Sequence, residues 1–209
     1  MQRLCTKSPN FACDYAKSMP IPRLHPDSTA LLVIDIQDRL MPTIHNADLL
    51  VARCRSLISG AALLKMPIIV TEQYVKGLGH TFAPIAEVLP AGTPVVEKLC
   101  FTALTSEVRT HLQSFGRPNL LICGIEAHVC VLQTVLDCCS FGIQTFHATD
   151  AISSGQSDQI EPAFRRMERA GSIPTGIVSA LYEMMGTCEH PAFRTMLPLA
   201  KTVVSISQK

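Results

Sequence analysis

The segment Asn119–Thr134, NLLICGIEAHVCVLQT, changes character at its glycine. Before Gly124 runs a short apolar stretch, too short for an ordinary helix and suited to a strand buried on both faces. Beyond it a helical window continues to about residue 141. A strand that turns at a glycine into a helix is half of a βαβ unit, and such units build parallel sheets with helices over their faces. Cys130 lies within about one turn of the expected helix start, where a thiol can be more than a small apolar side chain.

The same alternation continues outward in both directions. Strands are predicted over ALLVIDI (30–36), PIIVT (67–71), PVVEK (94–98), NLLICG (119–124), IQTFHAT (143–149) and SIPTGIVS (172–179). Helices are predicted over 46–65, 82–89, 103–115, 127–141, 157–170, 180–186 and 191–200. In the first of these, Leu49, Leu50, Arg53, Leu57, Ala61 and Leu64 fall at helical spacing behind Asn46 or Asp48 as candidate N-cap. No Asn-Gly hairpin signal separates any two strands, which agrees with a mostly parallel sheet covered on both faces. No Gly/Ser linker or repeat divides the chain. It reads as an N-terminal arm, residues 1–27, followed by one α/β domain, residues 28–209.

Composition narrows the class. Of 209 residues, 47% are hydrophobic and 17% charged, a balance that suits a large core with further surface covered by an oligomeric neighbour. The apolar runs are far below the roughly 18 residues a membrane helix needs. A net charge of +1 supplies no field for nucleic acid or an anionic membrane. The nine cysteines are odd in number and irregularly spaced, with no CxxC pair and no secretory signal peptide, so a reducing compartment is expected. Arg3, Lys7, Lys17 and Arg23 against a single Asp14 share a trait with mitochondrial presequences, although Asp14 and the late prolines count against one. The compartment stays open between cytosol and mitochondrion.

In open parallel sheets, ligands bind outside the carboxyl ends of the strands. The polar residues predicted there are Asp35 with Gln37 beyond it, Thr71 to Gln73, Glu97 with Lys98, and Cys130 after Gly124. A carboxylate, an ammonium and a thiol therefore share one sheet edge. A thiol acts as nucleophile through its thiolate, whose pKa falls at helix starts and beside cations; Lys98 supplies the cation. Asp35 is placed to take the thiol proton and return it to a leaving amine. Backbone N–H groups around Glu126 and Cys130 are placed to cradle an oxyanion. The segment GLGHT (77–81) lacks the Lys-Ser/Thr of a phosphate loop and reads as a lid or pocket wall, with Gln73 and Tyr74 facing substrate. Phe101 is expected on the pocket floor. His128 stands two residues from Cys130, a spacing that points the two to different sides of a helix.

Over roughly residues 28–186 the chain resembles the isochorismatase-like cysteine hydrolases. LLVIDIQ is similar to the family's first-strand motif with its catalytic aspartate, EKLCFTA to the segment with the catalytic lysine, and CGIEAHVCV to the signature around the nucleophile. The resemblance implies a six-stranded, three-layer α/β/α fold, usually in dimers or larger assemblies. It implies a triad of Asp35, Lys98 and Cys130. It also implies a cis Ile125–Glu126 peptide, whose family role is to present the Glu126 and Cys130 N–H groups as an oxyanion hole. The segment TEQYVKGLGHT resembles that of eukaryotic isochorismatase domain-containing proteins, a group in which some trypanosomatid members carry the label mitochondrial-associated ribonuclease. The Asp-x-His metal motif of the family's nicotinamidases is replaced by His45, Asn46 and Asp48, so neither metal nor cofactor is expected.

The expected activity is metal-independent cleavage of a C–N bond in a small amide-like substrate through a thioester. Two other readings stand beside it. One is ribonuclease activity or RNA binding, against which stand the lack of a basic stripe, three tyrosines and no tryptophan. The other is a non-catalytic partner-binding protein on the same fold. The expected partners are a small molecule and further copies of the chain, with neither membrane nor nucleic acid among them.

Overall fold

The structure is a computed structural model that describes residues 21–206; the first part of the arm, residues 1–20, lies outside the described residues. Six strands form one all-parallel sheet: β1 (Thr29–Ile34), β2 (Ile68–Gln73), β3 (Val95–Lys98), β4 (Asn119–Gly124), β5 (Gln144–Ile152) and β6 (Ile173–Thr175). Their order is β3-β2-β1-β4-β5-β6. The chain winds outward from β1 to one edge and then from β4 to the other, so the switch point falls between β1 and β4. The crevice for a ligand opens there, where the connections leave in opposite directions.

The alternation of side chains along each strand divides the core into two. Leu31, Val33, Leu121, Cys123 and Phe146 pack on one face against α1 (Ala47–Leu63), α7 (Ile177–Met185) and α8 (Phe193–Ile206). Leu32, Ile34, Ile69, Leu120 and Ile122 pack on the other against α4 (Ser106–Phe115), α5 (Leu132–Ser140) and α6 (Ile160–Arg169). The near-continuous apolar runs of β1 and β4 follow from this, since both of their faces are covered. Two one-turn helices, α2 (Val75–Leu78) and α3 (Ala83–Ala86), fill the β2–β3 connection.

Several boundaries move from their expected places. The predicted sixth strand, 172–179, stops at Thr175, because the Asp150 carboxylate accepts the Ile177 N–H at 2.9 Å and starts α7 there. The fifth strand runs on to Ile152. The helix expected over 82–89 is shortened to α3, α2 before it was not foreseen, and the last helix continues past 200 with Pro198 inside it. Asn46 is the N-cap residue of α1 by position only, in the left-handed region and without a side-chain cap bond. Ahead of α5, residues Ala127–Val131 form a π-helical turn, a wider winding that is frequent at functional sites. Among the described residues no helix is long and apolar enough to cross a membrane.

Candidate active site

The end of β1 and the end of β4 meet at a contact only glycine permits. Gly124 has φ +120°, and a Cβ there would lie 2.1 Å from the Ile34 carbonyl oxygen. Directly after these residues the chain places Asp35 on one side and the turn carrying Cys130 on the other. Asp35 has φ 54°, a left-handed conformation that aspartate tolerates better than most residues, and its N–H still donates to Thr71 O at 3.1 Å. The Ile125–Glu126 peptide is cis.

Asp35 is 1% exposed and both of its oxygens are occupied. The Thr71 hydroxyl donates to Oδ1 at 2.7 Å and Lys98 Nζ donates to Oδ2 at 2.7 Å. Lys98 reaches it from the end of β3, two strands away, with its own side chain fully buried. The same ammonium donates to Gln73 Oε1 at 2.7 Å and to the carbonyls of Phe101 and Cys100 at 3.1 and 3.3 Å. Four acceptors thus share three N–H groups. A buried ion pair needs such surroundings, since desolvation otherwise outweighs the attraction.

Cys130 is 7% exposed and lies against both charges. Its environment reverses the sign expected from sequence. Burial, together with the charge of Asp35, outweighs Lys98 and pushes the thiol up to about 12. The cation that should lower it is already paired with the carboxylate that raises it. Cys130 therefore rests as a protonated thiol beside a carboxylate. Thr134 fixes the turn, donating its hydroxyl to Cys130 O at 2.6 Å while accepting the Ala103 N–H at 2.7 Å, which ties α5 to the segment that follows Lys98.

A cavity of about 140 Å³ stands over these groups, lined by Asp35, Leu40, Gln73, Leu78, Phe101, Ile125, Glu126, Val129 and Cys130. The Glu126 N–H donates to no acceptor among the described residues. The Glu126 side chain accepts the Gly155 N–H at 2.8 Å. Phe101 is 54% exposed and forms the lip of the cavity instead of its floor. Gln37 and Tyr74 do not line it. Gln37 is buried, and its amide accepts the Gln73 N–H at 2.7 Å and donates to Gln73 O and Gly79 O at 2.9 and 2.6 Å. Tyr74 turns outward in the left-handed region at the start of α2. His128 points away from the thiol, its Nδ1 3.0 Å from Ser154 Oγ.

Sequence reasoning placed Glu72 at a strand end but gave it no role. Buried beneath the lid, it accepts the Thr81 N–H and hydroxyl at 2.6 Å each, with His80 Nδ1 at 3.1 Å. Burial pushes its carboxyl up, but the Thr81 and His80 bonds outweigh this and hold it below the usual range. A glutamate at the end of a buried strand, a few residues before a Gly/His/Thr loop, was the available signal.

The chain resembles known proteins throughout this region. A family model described as the Isochorismatase domain matches residues 29–177. Isochorismatase family protein 1B of Dictyostelium discoideum is 33% identical over 183 residues, which cover 86% of this chain and 89% of that one. Isochorismatase domain-containing protein 2A of Mus musculus is 33% identical over 187 residues, 87% of each chain. The solved structure of MAR1 ribonuclease from Caenorhabditis elegans superposes with a TM-score of 0.82 at 36% identity, over 85% of this chain and 92% of that one.

Proposed function

The chain belongs to the isochorismatase family, and from that premise we propose that it is a cysteine hydrolase cleaving the C–N bond of a small amide-like substrate through a thioester. One observation carries the reading: a buried thiol, a carboxylate and a saturated ammonium meet at one cavity beside an unused backbone N–H.

The steps follow from the resting protonation. Cys130 Sγ attacks the substrate carbonyl carbon as its proton passes to Asp35, so the thiolate need never accumulate. The carbonyl oxygen becomes an oxyanion held by backbone N–H groups, that of Glu126 with Cys130 as its expected companion. When the intermediate collapses, the C–N bond breaks and Asp35 returns the proton to the leaving ammonia or amine. Water then attacks the thioester, Asp35 again taking and returning a proton, and the carboxylic acid leaves as Cys130 regains its thiol. Lys98 keeps Asp35 in place between steps through the 2.7 Å contact. With every N–H engaged, it has none to give the oxyanion. The scheme needs no metal.

Ammonia release from a panel of small primary amides tests this. Turnover by the wild-type chain that disappears in Cys130→Ala is expected; undiminished turnover in that variant would end the covalent scheme. A ribonuclease reading is prompted by the name of the nematode neighbour. It predicts RNA binding that weakens steeply with salt, and a flat salt dependence would remove it. We also propose a homo-oligomeric working form, supported by exposed Tyr74, Val95, Leu99 and Phe101 on and beside edge strand β3.

A further inference from the structure

The residues around the cavity over Cys130 carry one more negative charge than positive. Asp35 and Lys98 offset each other, Glu126 is among the lining residues and bears a carboxylate, and among the described residues no lysine, arginine or histidine lines the space. The Lys98 ammonium offers nothing to a ligand, since Asp35, Gln73, Cys100 and Phe101 already take its three N–H groups. Glu126 is held in place. Its Oε2 accepts the Gly155 N–H at 2.8 Å, and Gly155 itself sits so close to the Thr43 carbonyl that a Cβ would come within 3.1 Å of it. The other Glu126 oxygen accepts no bond from a described residue. The apolar walls are Leu40, Leu78, Phe101, Ile125 and Val129, with Gln73 beside them.

We infer that this cavity admits small uncharged or cationic carbonyl compounds and turns anionic ones away, with Glu126 as the selecting carboxylate. Size and charge act together. At about 140 Å³ the space is well below the roughly 300 Å³ at which drug-sized pockets begin. A carboxylate entering it loses its water, finds no free cation and faces Glu126, which is a costly burial. A neutral amide asks only for an oxyanion donor and an apolar wall. A substrate with an amino group gains the unused oxygen of Glu126. Substrates bearing a carboxylate, the dicarboxylate for which the family is named among them, are excluded on both counts.

The inference rests on reading this cavity as the reaction site, and its test avoids turnover. Iodoacetamide and iodoacetate are nearly the same size and differ by one charge. Their labelling rates at Cys130 are followed by peptide mapping at pH 8.5, each divided by the rate at exposed Cys188 in the same chain. The normalised preference for the uncharged reagent at Cys130 is expected to be at least about tenfold, shrinking to a few-fold in Glu126→Gln. A preference near one, or one for iodoacetate, overturns the inference. A full preference that persists in Glu126→Gln overturns the role of Glu126. Should that variant fail to fold, a cationic and an anionic methanethiosulfonate on the wild-type chain decide it, with faster cationic labelling expected and equal rates contradicting the charge selection. Because alkylation needs entry but no hydrolysis, missing ammonia release would count against the hydrolase scheme without touching this result.

Discussion

Asp35 receives the Thr71 hydroxyl on one oxygen and the Lys98 ammonium on the other, so replacing it with asparagine alters both the base and the field at the thiol. Its charge is among the causes that push Cys130 up to about 12. In Asp35→Asn the ammonium stands beside the thiol unopposed, and the thiolate becomes easier to form. Alkylation of Cys130 at pH 8 is expected to speed up about tenfold or more, while hydrolysis falls by roughly 10²–10⁴ with the base gone. Opposite movement of these two rates is the signature, and a parallel fall would mean Asp35 serves the fold alone. The same variant breaks a buried ion pair, so urea midpoints are expected to drop by an amount worth about 3–5 kcal/mol. Asp35, Lys98 and Cys130 were legible because strand ends can be counted from sequence. The direction of the thiol shift was not, because it depends on which partner Lys98 has already taken.

The β2–β3 connection is held to the sheet by two buried side chains. Gln37 fastens Gln73 and Gly79, and Glu72 fastens Thr81 and His80, so the lid closes one side of the cavity through Leu78. Glu72→Ala removes three bonds at once. Amide exchange over residues 75–82 is expected to quicken about tenfold or more, with the rest of the sheet unchanged; uniform quickening would place Glu72 in the global core instead. Strand–helix alternation was plain wherever a run was buried on both faces, as in β1 and β4. Elements set by a partner elsewhere in the chain were not. The start of α7 depends on Asp150, twenty-odd residues upstream by count along the sequence, and the π-helical turn at Ala127–Val131 depends on its packing against Ser153 and Ser154. Local periodicity carries no trace of either.

At the scale of the molecule, His147 is expected to contribute to the loss of stability in acid. Its ring is fully buried on β5, with Nδ1 2.9 Å from Ser172 Oγ and the ring centroid 5.5 Å from that of Phe164. Nε2 has no partner among the described residues. Burial pulls its pKa down from 6.5 to about 4. The folded chain therefore refuses a proton that the unfolded chain accepts, and stability present above pH 6.5 is lost as pH falls towards 4. The loss between pH 8 and pH 4.5 is about 2.5 kcal/mol. Urea unfolding of His147→Asn at both pH values is expected to lack that component, and an unchanged acid limb would assign it elsewhere. Light scattering tests assembly: a mass above one chain is expected, lowered by Leu99→Asp, whereas a monomeric wild type would contradict the oligomeric form. The central claim, a covalent thioester on Cys130, is tested most directly by intact-mass analysis of the chain quenched in acid during turnover of a small uncharged amide. An acyl adduct that maps to Cys130 and is discharged by hydroxylamine is predicted; turnover with no adduct in the wild type and full activity in Cys130→Ala would contradict it.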